Sequence, residues 1–247
     1  MNFLSLYKRQ LLYFLKKKIN IDIEKTARNS SLEDLFVKYG SDKAFFRKKN
    51  ENGHGYTKFY LSHLKKLKYK KINILEIGSF AGASAAAFSK FFPNSNIYCL
   101  DINISNFKYS SSKINVFGMD ASDEKSYKNF LNKIGITNND KFFDIIIDDG
   151  SHMLSDQLFS LDYFYKYVKK KGFYIIEDYC FPEYFERNND IEDHKIGEII
   201  NFINNKTLFS SKIISNDTIK EIYSTINKVH SYKGNTKFSD IAFFEKN

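Results

Sequence analysis

Apolar and polar positions change their pattern once along the chain. The first third reads as helical and polar. Ser31–Tyr39 opens with Ser31 as N-cap and Asp34 at N3, a relative of the capping box, and Thr57–Leu67 is a second helix. From Lys71 short apolar runs alternate with helical segments. Ile72–Ile77 is a buried strand ending in a Gly-bearing turn, and Ala83–Phe92 is a helix stopped by Pro93–Asn94. Strands follow at Asn96–Leu100, Ile114–Phe117, Phe142–Ile147 and Gly172–Ile176, with helices at Ser122–Lys133 and Leu154–Val168. Such alternation predicts βαβ units and a parallel sheet.

The tail departs from this rhythm. Ile219–His230 and Ile241–Glu245 are strand-like, joined by Ser231–Asp240 with Gly234 inside. The expected fold is therefore α/β: a Rossmann-like, seven-stranded, mostly parallel sheet with an antiparallel C-terminal hairpin strand, helices on both faces and an N-terminal helical cap. The expected division is residues 1–68 for the helical segment and lid, and 69–247 for the α/β domain.

Composition narrows the class. With 247 residues, of which 43% are hydrophobic, the chain holds a sizeable core, which excludes disorder throughout. A net charge of +9 favours anionic partners. Abundant Lys, Asn, Ile and Phe together also fit an AT-rich codon bias, a simpler source of the lysines. Cys99 and Cys180 alone make neither a disulfide framework nor a cysteine metal site, and a cytoplasmic location fits. No apolar run is long enough to span a bilayer. Met1–Asn20 mixes Phe3, Leu4, Leu6, Leu11, Leu12, Phe14 and Leu15 with Lys8, Arg9 and Lys16–Lys18. It lacks a signal peptide's continuous apolar region and cleavage site. The expectation is a peripheral helix packed on the domain or on a second subunit of a homo-oligomer, with membrane-surface contact as the alternative.

The densest chemical signal is Ile74-Leu-Glu76-Ile-Gly78-Ser79-Phe80-Ala-Gly82-Ala-Ser84. A strand ends in a carboxylate, and a Gly-rich turn then feeds a helix whose N-terminus supplies free N–H groups. Phe80 occupies the middle glycine of the dinucleotide fingerprint, and the Lys-Ser/Thr pair of a triphosphate loop is missing. A carboxylate before the loop suits a cationic ligand such as S-adenosylmethionine better than a pyrophosphate. Asp101 and Asp120 end the next two strands, where ribose hydroxyls and an adenine amino group would lie in an open α/β sheet. Ile72 to Tyr179 resembles class I S-adenosylmethionine-dependent methyltransferases. The resemblance implies that Glu76, Gly78 and Gly82, with Ser79 and Ser84 of the same loop, frame the methionine end. Asp101 then holds the ribose, and Met119 and Asp120 the adenine.

The fourth strand ends Asp148-Asp149-Gly150-Ser151-His152 and the fifth Glu177-Asp178-Tyr179. Clustered carboxylates repel unless a cation shares them, and hard oxygen ligands select Mg²⁺ or another hard divalent ion. A hydroxyl is too weak an acid to attack a methyl group unaided; a bound metal lowers its pKa, and a histidine, ordinarily titrating at about 6.5, can take the proton. These motifs resemble metal-dependent sugar O-methyltransferases of the mycinamicin (macrolide-sugar) type and their cephalosporin-hydroxylase-like relatives. The resemblance implies Asp149, Glu177 and Asp178 as metal ligands, His152 with Asp149 as the catalytic pair, and Asp148 facing the cofactor's amino group. Tyr39-Gly-Ser-Asp-Lys43 with His54-Gly-Tyr56 resembles the same group's cofactor cover, which makes Tyr56 a cofactor contact. Here the two halves are separated by an inserted Ala44–Asn52.

The implied activity is methyl transfer to a sugar hydroxyl, on a nucleotide-linked or phosphorylated glycan or capsule precursor. Phe181–Ile200 and the insertion are expected to shape the acceptor site. A non-sugar acceptor, or a non-catalytic scaffold at a membrane, are the alternatives. A nucleic-acid methyltransferase would carry Asn/Asp-Pro-Pro-Tyr where this chain has Asp148-Asp-Gly-Ser-His, so no nucleic-acid partner is expected.

Overall fold

A computed structural model of the chain describes residues 3–24, 30–47, 51–137, 140–181 and 191–247. Residues 48–50 of the Ala44–Asn52 insertion and 182–190 of the Phe181–Ile200 segment, both expected to shape the acceptor site, lie outside the described residues. Two compact units divide the chain: residues 1–120 with 234–237, and 121–233 with 238–247.

The first unit holds α1 (Phe3–Leu15), β1 (Ile19–Asn20), α2 (Leu32–Tyr39), α3 (Thr57–Leu64, extended by one 3₁₀ turn), β2 (Ile72–Ile77), α4 (Ala83–Phe91), β3 (Ser95–Asp101), β4 (Tyr109–Ser110) and β5 (Ile114–Gly118). Helix α2 starts where its capping residues direct. Ser31 Oγ accepts from the Asp34 amide and Asp34 Oδ2 from the Ser31 amide, both at 3.1 Å, which satisfies two otherwise orphaned donors. It ends at Gly40, whose left-handed φ of 79° a side chain would resist. Ala85–Ala87 let α4 pack closely on the sheet, and Phe36, Tyr60 and Phe88 meet edge to face in the core. Strand β3 pairs in parallel with β2 and β5, with Glu76 opposite Cys99 and Asp101 opposite Gly118, so three strands end level.

The second unit holds α5 (Glu124–Lys133, capped by Asp123), β6 (Phe143–Asp148), α6 (Leu154–Phe164, then a 3₁₀ turn), β7 (Val168–Glu177), α7 (Ile196–Asn204), α8 (Asn216–Thr225), β8 (Ile226–Lys233) and β9 (Asp240–Lys246). Strands β6 and β7 pair in parallel with Asp148 opposite Ile176. Strand β9 runs antiparallel to both β7 and β8. The seven-stranded sheet has the order β5-β3-β2-β6-β7-β9-β8, the mostly parallel arrangement with an antiparallel C-terminal pair that the sequence predicts.

One expectation fails. Ile219–His230 reads as a strand but is divided: Ser215 caps a helix through the Thr218 amide, α8 buries Ile219 and Ile222 on one face, and the strand starts only at Ile226. The isoleucines are three apart, a helical spacing, and tertiary burial overrides their β preference. Helix α7 buries Ile196, Ile199, Ile200 and Ile203 and was not anticipated.

Lys246 at the end of β9 is almost fully buried. Its Nζ donates to Glu221 Oε1 at 2.6 Å and to the Tyr165 carbonyl at 3.3 Å, and stands 4.6 Å from the Tyr165 ring centroid. Lys141 donates to the same Glu221 oxygen at 2.7 Å. Burial pulls the Glu221 carboxyl up, but hydrogen bonds from the two lysines outweigh it and hold the group below the usual range. A depressed carboxylate contributes stability above its unfolded pKa and loses it as pH falls through the folded value. Glu221→Gln is expected to cost roughly 3 kcal/mol, the lower end for stripping a buried cation of its partner. Thermal unfolding across pH checks both points: the variant should unfold at lower temperature at neutral pH, and the difference should shrink in acid.

Candidate active site

In the first unit the loop after β2 is built by backbone constraint. Gly78 and Gly82 take φ of 85° and 75°, the left-handed region. A Cβ on Gly82 would stand 2.4 Å from the Phe107 ring, so the turn admits no side chain there. Gly82 is also the N-cap of α4 and offers no side-chain cap, which leaves the helix's first amide groups available to a ligand. Glu76 is buried at the end of β2 and accepts from Ser84 Oγ; Ser79 Oγ donates to the Glu76 carbonyl at 3.1 Å. Asp101, at the end of β3, accepts from the Phe80 amide at 2.7 Å and the Asn103 amide at 2.6 Å. Its carboxylate thus spans from the glycine loop to the turn after its own strand. Met119, buried, donates its amide to the Asp101 carbonyl at 3.0 Å, and Asp120 follows it, half-buried. These residues fit an adenosyl ligand with a cationic end: open amides at a helix start, close backbone approach, and a carboxylate at each of three successive strand ends.

The inserted segment leaves the cover motif intact. His54 donates its amide to the Asp42 carbonyl at 2.6 Å, Gly55 to Ala44 at 2.9 Å and Tyr56 to Lys43 at 2.9 Å, so the motif's two halves pair across the base of the insertion. Tyr56 is fully buried, its ring edge-on to His54.

In the second unit one ligand atom each from Asp149, His152 and Asp178 lie within 4.8 Å of one another. His152 Nε2 stands 3.9 Å from Asp149 Oδ1, beyond hydrogen-bond length, and Nδ1 is buried with no hydrogen bond among the described residues. The imidazole does not cap α6, whose N-cap Met153 has no side-chain cap, and Ser151 Oγ accepts the Met153 amide at 3.2 Å. Two carboxylates and an imidazole with a free buried nitrogen fit a hard divalent cation or a proton. Glu177, the last residue of β7, is buried and lies outside that trio. Asp148 is buried, accepting from the Gly150 amide at 3.3 Å and the Tyr174 hydroxyl at 3.4 Å. Burial pushes its carboxyl up to about 7, the charges of Asp149 and Asp156 adding to burial against those two hydrogen bonds.

Three of the five described non-glycine residues with positive φ lie in these loops; the others are Lys171 and Lys206. Phe80, His152 and Asp178 take φ of 42°, 56° and 51°, where side chains are disfavoured by about 1–3 kcal/mol and persist only when the surroundings force them. Asp178 is forced by Asp240, a residue the sequence reading passed over. The Asp178 amide donates to the Asp240 carbonyl at 2.7 Å, and the Cys180 amide to the Asp240 carboxylate at 3.0 Å. Gln157 was also missed; buried on α6, it donates to the Glu177 carbonyl at 3.3 Å. An acid directly before the apolar run Ile241–Phe244 was the one available signal for Asp240.

Over 89% of its length the chain superposes on the MycE methyltransferase from the mycinamycin biosynthetic pathway, solved in complex with Mg, SAH and mycinamycin VI, with a TM-score of 0.66 and 24% identity. The chain has the class I methyltransferase fold. No family model matches the sequence. Among curated proteins this methyltransferase-fold chain is 29% identical over 159 residues, 62% of its length, to mycinamicin VI 2''-O-methyltransferase of Micromonospora griseorubida. It is 28% identical over 160 residues to L-olivosyl-oleandolide 3-O-methyltransferase of Streptomyces antibioticus. The chain spans 37% and 38% of the length of these relatives, and 54% of the solved structure.

Asp101→Ala removes acceptors for two amides and the residue expected to hold the ribose. S-adenosylmethionine affinity should fall by about 1–3 kcal/mol, the cost of leaving buried polar groups unanswered. Titration calorimetry checks this, and unchanged affinity would take Asp101 out of the site.

Proposed function

We propose that the protein is an S-adenosylmethionine-dependent O-methyltransferase acting on a sugar hydroxyl, with a hard divalent cation and a histidine base. The convergence of Asp149, His152 and Asp178 carries this reading: two carboxylates held beside an imidazole by strained backbone have chemistry to do, and metal-assisted deprotonation fits them best. The similarity to sugar O-methyltransferases supports the substrate class.

In the first unit Glu76, Gly78, Ser79, Gly82 and Ser84 hold the methionine end of the cofactor, Asp101 the ribose, and Met119 and Asp120 the adenine, under Tyr56. In the second unit Asp149 and Asp178, with Glu177 from the same strand end, hold the cation, and Asp148 faces the cofactor's amino group. The bound cation, Mg²⁺ or a similar ion, lowers the pKa of the acceptor hydroxyl, and the cofactor supplies the methyl group. His152 accepts the hydroxyl proton. Fixed carboxylates orient the acceptor oxygen for in-line attack, so positioning supplies much of the acceleration. The acceptor is a nucleotide-linked or phosphorylated sugar of a glycan or capsule precursor, met in the cytoplasm. The basic chain suits such an anionic substrate.

Release of S-adenosylhomocysteine, followed over a panel of nucleotide sugars, tests the activity and names the acceptor. Chelation with EDTA should abolish turnover and Mg²⁺ restore it; full activity after exhaustive chelation would sink the metal's role. His152→Ala should lower kcat by roughly 10²–10⁴-fold, the usual share of a general base, with S-adenosylmethionine affinity kept. Asp149→Ala should weaken Mg²⁺ binding as well. A His152→Ala enzyme with wild-type kcat at saturating metal and acceptor would assign the base elsewhere.

A further inference from the structure

Helix α1 is turned inside out. Its polar side chains face the first unit: Arg9 Nη1 donates to the Ile102 carbonyl at 3.0 Å, Gln10 Nε2 to the Gly118 carbonyl at 3.2 Å, and Lys16 Nζ, one residue past the helix, to the Ser105 carbonyl at 2.9 Å. Tyr13 lies on the same side, edge-on to Phe107. Positions 9, 10, 13 and 16 share one helical face. The opposite face is apolar and open: Leu4, Tyr7, Leu11, Leu12, Phe14 and Leu15 are 47–75% exposed. Ile19, just past the helix, is 51% exposed as well. Single exposed apolar residues need no explanation, but a continuous stripe of this kind marks an interaction surface.

Charge selects the occupant. Residues 3–21 contain Lys8, Arg9, Lys16, Lys17 and Lys18 and no Asp or Glu. Lys8 stands exposed among the open leucines and Lys17 at their end. Pairing with a second copy through this face would set these cations against their own kind, with no acid on the helix to answer them. An anionic lipid surface answers both features: the leucines and Phe14 enter the headgroup–acyl boundary while the lysines meet phosphates. The short apolar stripe suits lying in the interface, and no helix among the described residues is long and apolar enough to cross a membrane. We propose that α1 docks the protein on an anionic bilayer with this face down. The inference does not depend on the methyl-transfer reading.

Co-sedimentation of the whole chain with vesicles tests it. Binding is expected to vesicles of phosphatidylglycerol in phosphatidylcholine, and to be weak on phosphatidylcholine alone. Leu11→Glu combined with Phe14→Glu should lower binding at least tenfold with thermal unfolding unchanged, since both side chains are exposed. Lys8→Gln and Lys17→Gln should each lower it about five-fold, the contribution of one cation near an anionic surface, and keep the apolar face. Equal binding to neutral vesicles, no binding to anionic ones at low salt, or indifference to the glutamate pair would overturn the proposal. So would a dimer in sedimentation velocity without lipid that the glutamate pair makes monomeric, because the face would then belong to a second copy.

Discussion

The turns after β3, β6 and β7 depend on one kind of interaction: a carboxylate accepting backbone N–H groups just beyond a strand end. Asp101 takes the amides of Phe80 and Asn103, Asp148 that of Gly150, and Asp240 that of Cys180. Each such bond is worth about 1 kcal/mol to a neutral acceptor and about 1.5–3 kcal/mol to an ionised one, and together they hold the turns in conformations they would otherwise leave. These carboxylates therefore come before the site chemistry. They fix the glycine loop and the loops bearing His152 and Asp178.

The Asp148–Asp149 pair shows how two neighbouring acids acquire different characters. Asp148 is buried against Tyr174, and burial raises its carboxyl to about 7. Asp149 is partly exposed and adjoins His152 and Asp178. A group that titrates near neutrality can sit beside charged acids without full repulsion, whereas Asp149 stays where a cation or a protonated imidazole would be welcome. Neighbouring groups with divergent environments are a familiar way to divide acid and base roles.

The sequence made strand ends legible because chemistry and geometry coincide there. A buried strand ending in an acid and then glycine, as at Glu76-Ile-Gly78, or in Asp-Asp-Gly-Ser-His, marks position and function together. Asp240 was illegible because it acts from the antiparallel strand β9, distant in sequence from the turn it holds. The stretch from Ile219 was misread because isoleucine favours strands and only the Ser215 cap identifies a helix. The Ala44–Asn52 insertion puts the cover's shape in doubt, yet the amides of Gly55 and Tyr56 find the carbonyls of Ala44 and Lys43 at its base.

Helix α1 marks the limit of hydrophobic periodicity as a guide. The pattern identifies an apolar face and implies that something covers it, but not what. The usual inference, that the apolar face meets the chain's own core, is reversed here: Arg9, Gln10 and Lys16 reach carbonyls that the 3₁₀ turn at Ile104–Asn106 and the ends of β3 and β5 leave available. Such side chain–carbonyl bonds are individually worth about 1 kcal/mol, and the burial of six large apolar side chains, about 1.5–3 kcal/mol each when complete, is left largely unused. The helix as it stands is held in place but incompletely buried. An outside surface that takes up this burial would also meet the cations beside the apolar stripe, which favours an anionic one.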